Sequence, residues 1–230
     1  MRNLFLAACL LALSASACAG TALKPERATY TVSRDGKGVG TATYVLAANA
    51  DGTWTLRSET RGTNGVARLL GLDVREESVF SLRAGVLQGL RYDYEQDAAI
   101  KHKRRRVDFD WHSNQIRVRD NGKEFRYATQ AGAIDRSAVA VALGLALADG
   151  AKSATLPVAV RDRVEMQQYV VRGGAVIDLA DGRYPATEID RTDAPGKVKS
   201  WYAPGAGVLP LRVEQVQHDG STIVMERKQR

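Results

Sequence analysis

Side chains that alternate apolar and polar, segment after segment, constrain this chain more than any other feature. In one stretch Leu90, Tyr92 and Tyr94 oppose Arg91, Asp93 and Glu95; in another Val107, Phe109 and Trp111 oppose Arg106, Asp108 and Asp110. Period two marks strands with one face buried and one in water, the habit of antiparallel sheets. Residues 30–33, 39–48 and 54–59 read as three strands of a meander, with Trp54, Leu56 and Ser58 on the covered face of the third. Strands resume at 74–82, 90–96, 106–111, 116–118 and 125–127. They return at 155–160, 165–171, 175–179, 184–191, 197–202, 209–217 and 221–228. Turn residues punctuate them: Asp35-Gly36, Asn49-Ala50-Asp51-Gly52, Asn121-Gly122 and His218-Asp219-Gly220. Asn-Gly supplies the positive φ angles that a tight hairpin needs.

Two segments depart from the alternation. Residues 62–72 are either a short helix carrying Val66, Leu69 and Leu70 on one face or a loop folded over the sheet. Residues 135–149 have Asp135 to cap a first turn, an alanine-rich middle and Gly150 where a helix would stop. Val139, Val141, Leu143, Leu145 and Leu147 also alternate, but length and end signals point to a helix buried nearly all round. No gap resembles an interdomain linker. The expected fold is mainly β: one large curved antiparallel sheet or incomplete β-barrel, with one central helix on its concave side.

The first residues set the compartment. Met1, Arg2 and Asn3 precede an apolar run over residues 4–13 and then small residues from Ser14 to Gly20. That is the build of a secretory signal peptide over residues 1–19, leaving a single domain over 20–230 that is expected in the periplasm of the cell envelope. Two processing routes fit. Ala17-Cys18-Ala19 suits ordinary cleavage, whereas Ala15-Ser16-Ala17-Cys18 resembles a lipobox that would lipidate Cys18 and anchor the chain to the outer membrane. Cys9 falls in the leader, so the exported domain holds at most one cysteine and no internal disulfide. No later stretch is apolar enough for a transmembrane segment.

Chemistry is harder to find. His102, His112 and His218 show no metal-ligand spacing, and no Gly-x-Ser-x-Gly elbow or phosphate loop is present. No cofactor is expected. Glu76 and Glu77 are adjacent on a strand, so one points inward when the other is exposed. The inward carboxylate needs a partner such as Arg75, Arg91 or Arg104, or it contacts a polar ligand group. Asp108 and Asp110 share a strand face near several arginines. The run of Lys101, Lys103, Arg104, Arg105 and Arg106 is the strongest charge feature, within a total of 33 basic and 26 acidic residues and a net charge of +7. Export argues against nucleic acid and leaves anionic lipid as its candidate contact, at about 1 kcal/mol per basic residue near a surface. Alternation divides the run between two faces.

Several stretches resemble the DUF3108 family of uncharacterised exported proteins of Gram-negative bacteria. They are residues 30–44 with Gly38-x-Gly40-x-Ala42, residues 75–92 with Glu76, Glu77, Ser78, Phe80 and Gly89, and residues 106–111. Asp135-Arg136-Ser137, residues 184–202 and Pro210-Leu211-Arg212-Val213 complete them. The resemblance implies an exported, mostly β protein with no assigned chemistry and no catalytic residues to carry across. It is similar to curved half-barrels that handle lipoproteins and hydrophobic ligands. The expected role is non-enzymatic binding of a lipid, another amphiphile or an envelope protein. The expected cavity face is Trp54, Leu56, Tyr92, Tyr94, Phe109 and Trp111, with Glu76 or Glu77 as polar contact. The rivals are an assembly factor whose concavity the helix fills, and a hydrolase using Glu76 or Asp108.

Overall fold

The structure, a computed structural model, describes residues 22–69, 71–99, 101–194 and 197–229. The segment expected to be a leader, with Cys18, lies outside the described residues. The alternating segments form a 14-stranded antiparallel sheet. Strands β1 (Glu26–Arg34), β2 (Lys37–Ala48), β3 (Trp54–Gly62), β4 (Asp73–Arg83), β5 (Val86–Ala98), β6 (Lys101–Asp110), β7 (Gln115–Asp120) and β8 (Lys123–Ala128) follow one another as a meander. A second meander runs through β9 (Ser153–Ala159), β10 (Val164–Leu179), β11 (Gly182–Arg191), β12 (Val198–Tyr202), β13 (Arg212–Val216) and β14 (Thr222–Arg227). The first and last strands join the two arms, with Tyr30 opposite Arg227 and Arg34 opposite Ile223. Asp35-Gly36 and Asn121-Gly122 turn their hairpins at positive φ in both residues, as their composition requires.

This order leaves β8 and β9, consecutive in the chain, at opposite edges of the sheet. Only residues 129–152 connect them, so the sheet has to curl until its edges approach. The connection itself stitches the seam. Ala133 O accepts from Gly89 N at 2.9 Å, Ile134 N donates to Pro157 O at 3.0 Å, and Ile134 O accepts from Ala159 N at 2.8 Å. Near the same seam the Tyr127 hydroxyl donates to Val160 O at 2.6 Å, and Arg161 lies over the Phe125 ring. These contacts satisfy backbone groups that a bare sheet edge would expose. The result is the expected curved sheet, nearly closed into a barrel.

Helix α2 (Val139–Ala148) occupies the interior, with Val141, Ala142, Leu143, Gly144 and Leu145 buried. Its apolar residues cover the whole circumference, which is why strand-like alternation and a helix coexist in this segment. It starts later than residue 135. The Asp135 carboxylate caps the preceding turn instead, accepting from Ser137 N and Ala138 N at 2.8 and 3.1 Å. At the far end Gly150 takes φ 79°, the left-handed stop expected there. The loop over residues 203–211 crosses the helix so closely that a Cβ on Gly144 would lie 2.2 Å from Val208 O. Glu26 anchors that loop: Oε2 accepts from Val208 N and Leu209 N, and Oε1 accepts from Arg227 Nη1 at 2.9 Å.

Three local readings need correction. Residues 165–171 and 175–179 belong to one strand, β10, with a bulge between Val171 and Gly173 rather than a turn. Residues 209–211 belong to the crossing loop rather than to β13. Leu90 does not share a face with Tyr92 and Tyr94, because a bulge pairs Val79 with Arg91 but Phe80 with Gly89. The inward residues are therefore Leu87 and Gly89 before the bulge and Tyr92 after it. Gly89 is needed there, since a Cβ would sit 2.8 Å from the Phe109 ring. Residues 62–72 contain the short helix α1 (Gly65–Leu69).

Candidate functional site

A cavity of about 320 Å³ lies between the first half of α2 and the inner faces of β1, β2 and β10 to β14. Val139 and Leu143 of the helix face Val213, Ile223 and Met225 of the sheet across it. Four tyrosines, Tyr30, Tyr44, Tyr169 and Tyr202, add aromatic surface. Three of their hydroxyls are committed: Tyr30 donates to Pro210 O at 2.9 Å, Tyr202 to Ala140 O at 3.0 Å and Tyr169 to Gln167 Oε1 at 2.7 Å. The Tyr44 hydroxyl meets the Ser58 side chain, its cross-strand neighbour, and the Met225 thioether at 3.9 Å. Burial pushes the Tyr169 phenol up to about 12 and raises Tyr44 and Tyr202 as well. All three are therefore neutral donors at ordinary pH.

Two guanidinium groups mark the polar parts of the lining. Glu76 is the inward member of its pair. Its Oε1 accepts from Arg136 Nη2 at 2.6 Å, and its Oε2 accepts from Tyr92 OH at 2.8 Å. The Arg136 guanidinium also covers the Tyr94 ring, 4.7 Å from its centroid. Arg191 pairs with Asp193 at 2.6 Å and with Glu165. Behind Glu76, Asp135 is fully buried, and its Oδ2 accepts from Ser78 Oγ at 2.6 Å. Burial pushes the Asp135 carboxyl up to about 6, against the opposing pull of its three hydrogen bonds.

Glu77 faces outward into a cross-strand ladder of charge. It accepts from Arg57 at 2.6 Å and from Arg91; Arg91 continues to Asp93, and Arg106 to Asp93 and Asp108. The basic run is answered in place. Arg104 meets Glu95 at 2.7 Å, and Arg105 meets Asp120 at 3.1 Å. Lys101 opens β6 opposite Ala98, and exposed Lys103 stands opposite Gln96. An outer hollow of about 970 Å³ is lined by these paired charges. It is the larger of the two, but it is an open saddle in which exposed pairs already neutralise one another. The inner cavity is the better candidate.

Of the residues expected to form a cavity face, the structure brings few together. Leu56 has no exposure, and Tyr92 and Phe109 are buried in the core. Trp54 packs against that core, and Trp111 stacks on Phe109 while its indole donates to Gly89 O. Glu76 lines the inner cavity and, with Glu77 and Tyr94, also borders the outer hollow. Asp108 lies on the opposite face from Glu76, bound to Arg106 and Arg119. Asp110 accepts from the backbone of the following turn. Alternation does not reveal that Tyr30 and Tyr44 share a cavity with Tyr169, Tyr202 and Arg191, because the two groups lie far apart in the chain. Arg136 stood within a recognised motif, but its partner is 60 residues away. Among the described residues, no three His, Cys, Asp or Glu side chains gather in a metal-ligating group, and no helix is long and apolar enough to cross a membrane.

The fold and cavity define a β-barrel-like protein with a helix in its concavity. The chain belongs to the DUF3108 family, described as a protein of unknown function, which matches residues 29–228. Among solved structures it is similar to a beta-barrel-like protein of the domain of unknown function DUF1849 from Brucella abortus. The two share 13% identity over 89% of this chain and 96% of that one, with a TM-score of 0.46. No curated protein matches.

Proposed function

We propose that this is an exported envelope protein that binds a hydrophobic or amphiphilic molecule inside its curved sheet. The supporting observation is the cavity itself, whose apolar wall of Val139, Leu143, Val213, Ile223 and Met225 meets a polar region at Arg136, Glu76 and Tyr44. Its volume of about 320 Å³ falls at the low end of the range for small-molecule sites, about 300–1,000 Å³. The leader pattern of residues 1–20 supports export to the periplasm, with Cys18 as the position of an anchor if it is lipidated. A partner protein is the second reading, favoured by the extent to which α2 fills the concavity. Hydrolysis has little support: Ser78 and Asp135 hydrogen-bond as a serine–carboxylate pair, yet both are sealed from solvent.

The test is to purify the protein from envelopes without harsh detergent and extract it for mass spectrometry. A Leu143→Trp variant, whose indole would enter the cavity, serves as comparison. A stoichiometric apolar molecule that is lost in the variant is expected. Empty protein that also fails to bind an apolar fluorescent probe refutes the reading. Globomycin treatment that leaves processing unaltered argues against lipid on Cys18.

A further inference from the structure

We propose, resting on the binding reading above, that the cavity selects an uncharged single-chain amphiphile, such as a monoacyl ester, over the carboxylate of the same chain length. Size comes first. About 320 Å³ holds about ten water-sized groups, which suits one medium-length chain and leaves no room for the second tail of a diacyl lipid.

Charge balance then chooses the head group. Arg136 is already answered by Glu76, through Nη2 at 2.6 Å and Nε at 3.3 Å. Arg191 faces two carboxylates, Glu165 and Asp193. Asp135 stands behind Glu76. An incoming carboxylate therefore finds each cation already paired and several negative charges close by. Taking such a charge out of water without a free counter-ion is strongly unfavourable.

Neutral hydrogen-bonding groups are available instead. The Tyr44 hydroxyl reaches Ser58 and the Met225 thioether, and the thioether is a weak acceptor that an ester or hydroxyl oxygen would outcompete. The buried Ser200 side chain also lines the cavity and makes no hydrogen bond among the described residues. These groups recognise an oxygen without requiring charge, and the apolar wall takes the chain.

The experiment titrates delipidated full-length mature protein by calorimetry with methyl octanoate and with octanoate, each below its solubility limit or micellar concentration at about pH 7.5. The ester is expected to bind at least ~10-fold more tightly, the scale of an uncompensated charge in a partly buried site. In Glu76→Gln, Arg136 loses its counter-ion, and octanoate should gain at least ~10-fold relative to the ester. Octanoate binding as tightly as the ester in the wild type overturns this inference alone, as does an unchanged ratio in a folded E76Q protein. If E76Q does not fold, the wild-type ratio decides. Binding of neither compound overturns both the inference and the binding reading beneath it.

Discussion

Replacing Asp135 by asparagine isolates the cost of holding an ionisable group in the interior. The carboxyl has no exposure, and burial raises it from 3.8 to about 6 in the folded protein. A raised acid binds its proton more tightly in the folded state. Its contribution is therefore fully favourable below the unfolded value of 3.8 and is lost as pH rises through about 6. The complete loss amounts to ~3 kcal/mol, of which ~1.4 kcal/mol falls between about pH 5 and 7.5. Asparagine keeps the shape: its carbonyl can accept from Ser137 N and Ala138 N, and its amide can donate to Ser78 Oγ. It has no proton to lose. Urea unfolding of both proteins, followed by tryptophan fluorescence at matched pH, cancels every group they share. The asparagine variant should gain on the wild type by ~1.4 kcal/mol from about pH 5 to 7.5 and then level off. A difference that is flat across this window, or that moves against the variant as pH rises, refutes the reasoning.

Two further outcomes follow from the packing. Gly144→Ala should lose ~1–3 kcal/mol of unfolding free energy, because its Cβ meets backbone, Val208 O at 2.2 Å, rather than a side chain that can swing away. A fully stable variant would mean that the crossing loop does not lie on the helix. Glu26→Ala should lose ~3–5 kcal/mol by stranding buried Arg227, whereas Arg57→Ala on the outer face should change stability by less than ~1 kcal/mol. Equal effects in denaturant melts would contradict this division between buried and exposed ion pairs.

How far the sequence could be read depends on the distance over which each feature is decided. Glu76 and Glu77 had to face opposite ways because neighbouring strand residues do, and they do. Asn121-Gly122 had to turn a hairpin because few residues tolerate two positive φ angles in succession. The mainly β body with one interior helix came from such local rules repeated along the chain. Leu90 marks their limit: one extra residue in a bulge moves a side chain off its face, and alternation carries no sign of it.

Local periodicity determined which segments are strands, turn residues where they reverse, and length with end signals that the long apolar segment becomes a helix. Tertiary structure alone decided that β1 meets β14, that Arg136 rather than Arg75, Arg91 or Arg104 answers Glu76, and that tyrosines from four strands border one cavity. The physical reason is that a strand's two faces follow from the geometry of its own backbone, whereas a cavity exists only once the whole sheet has curled around the helix.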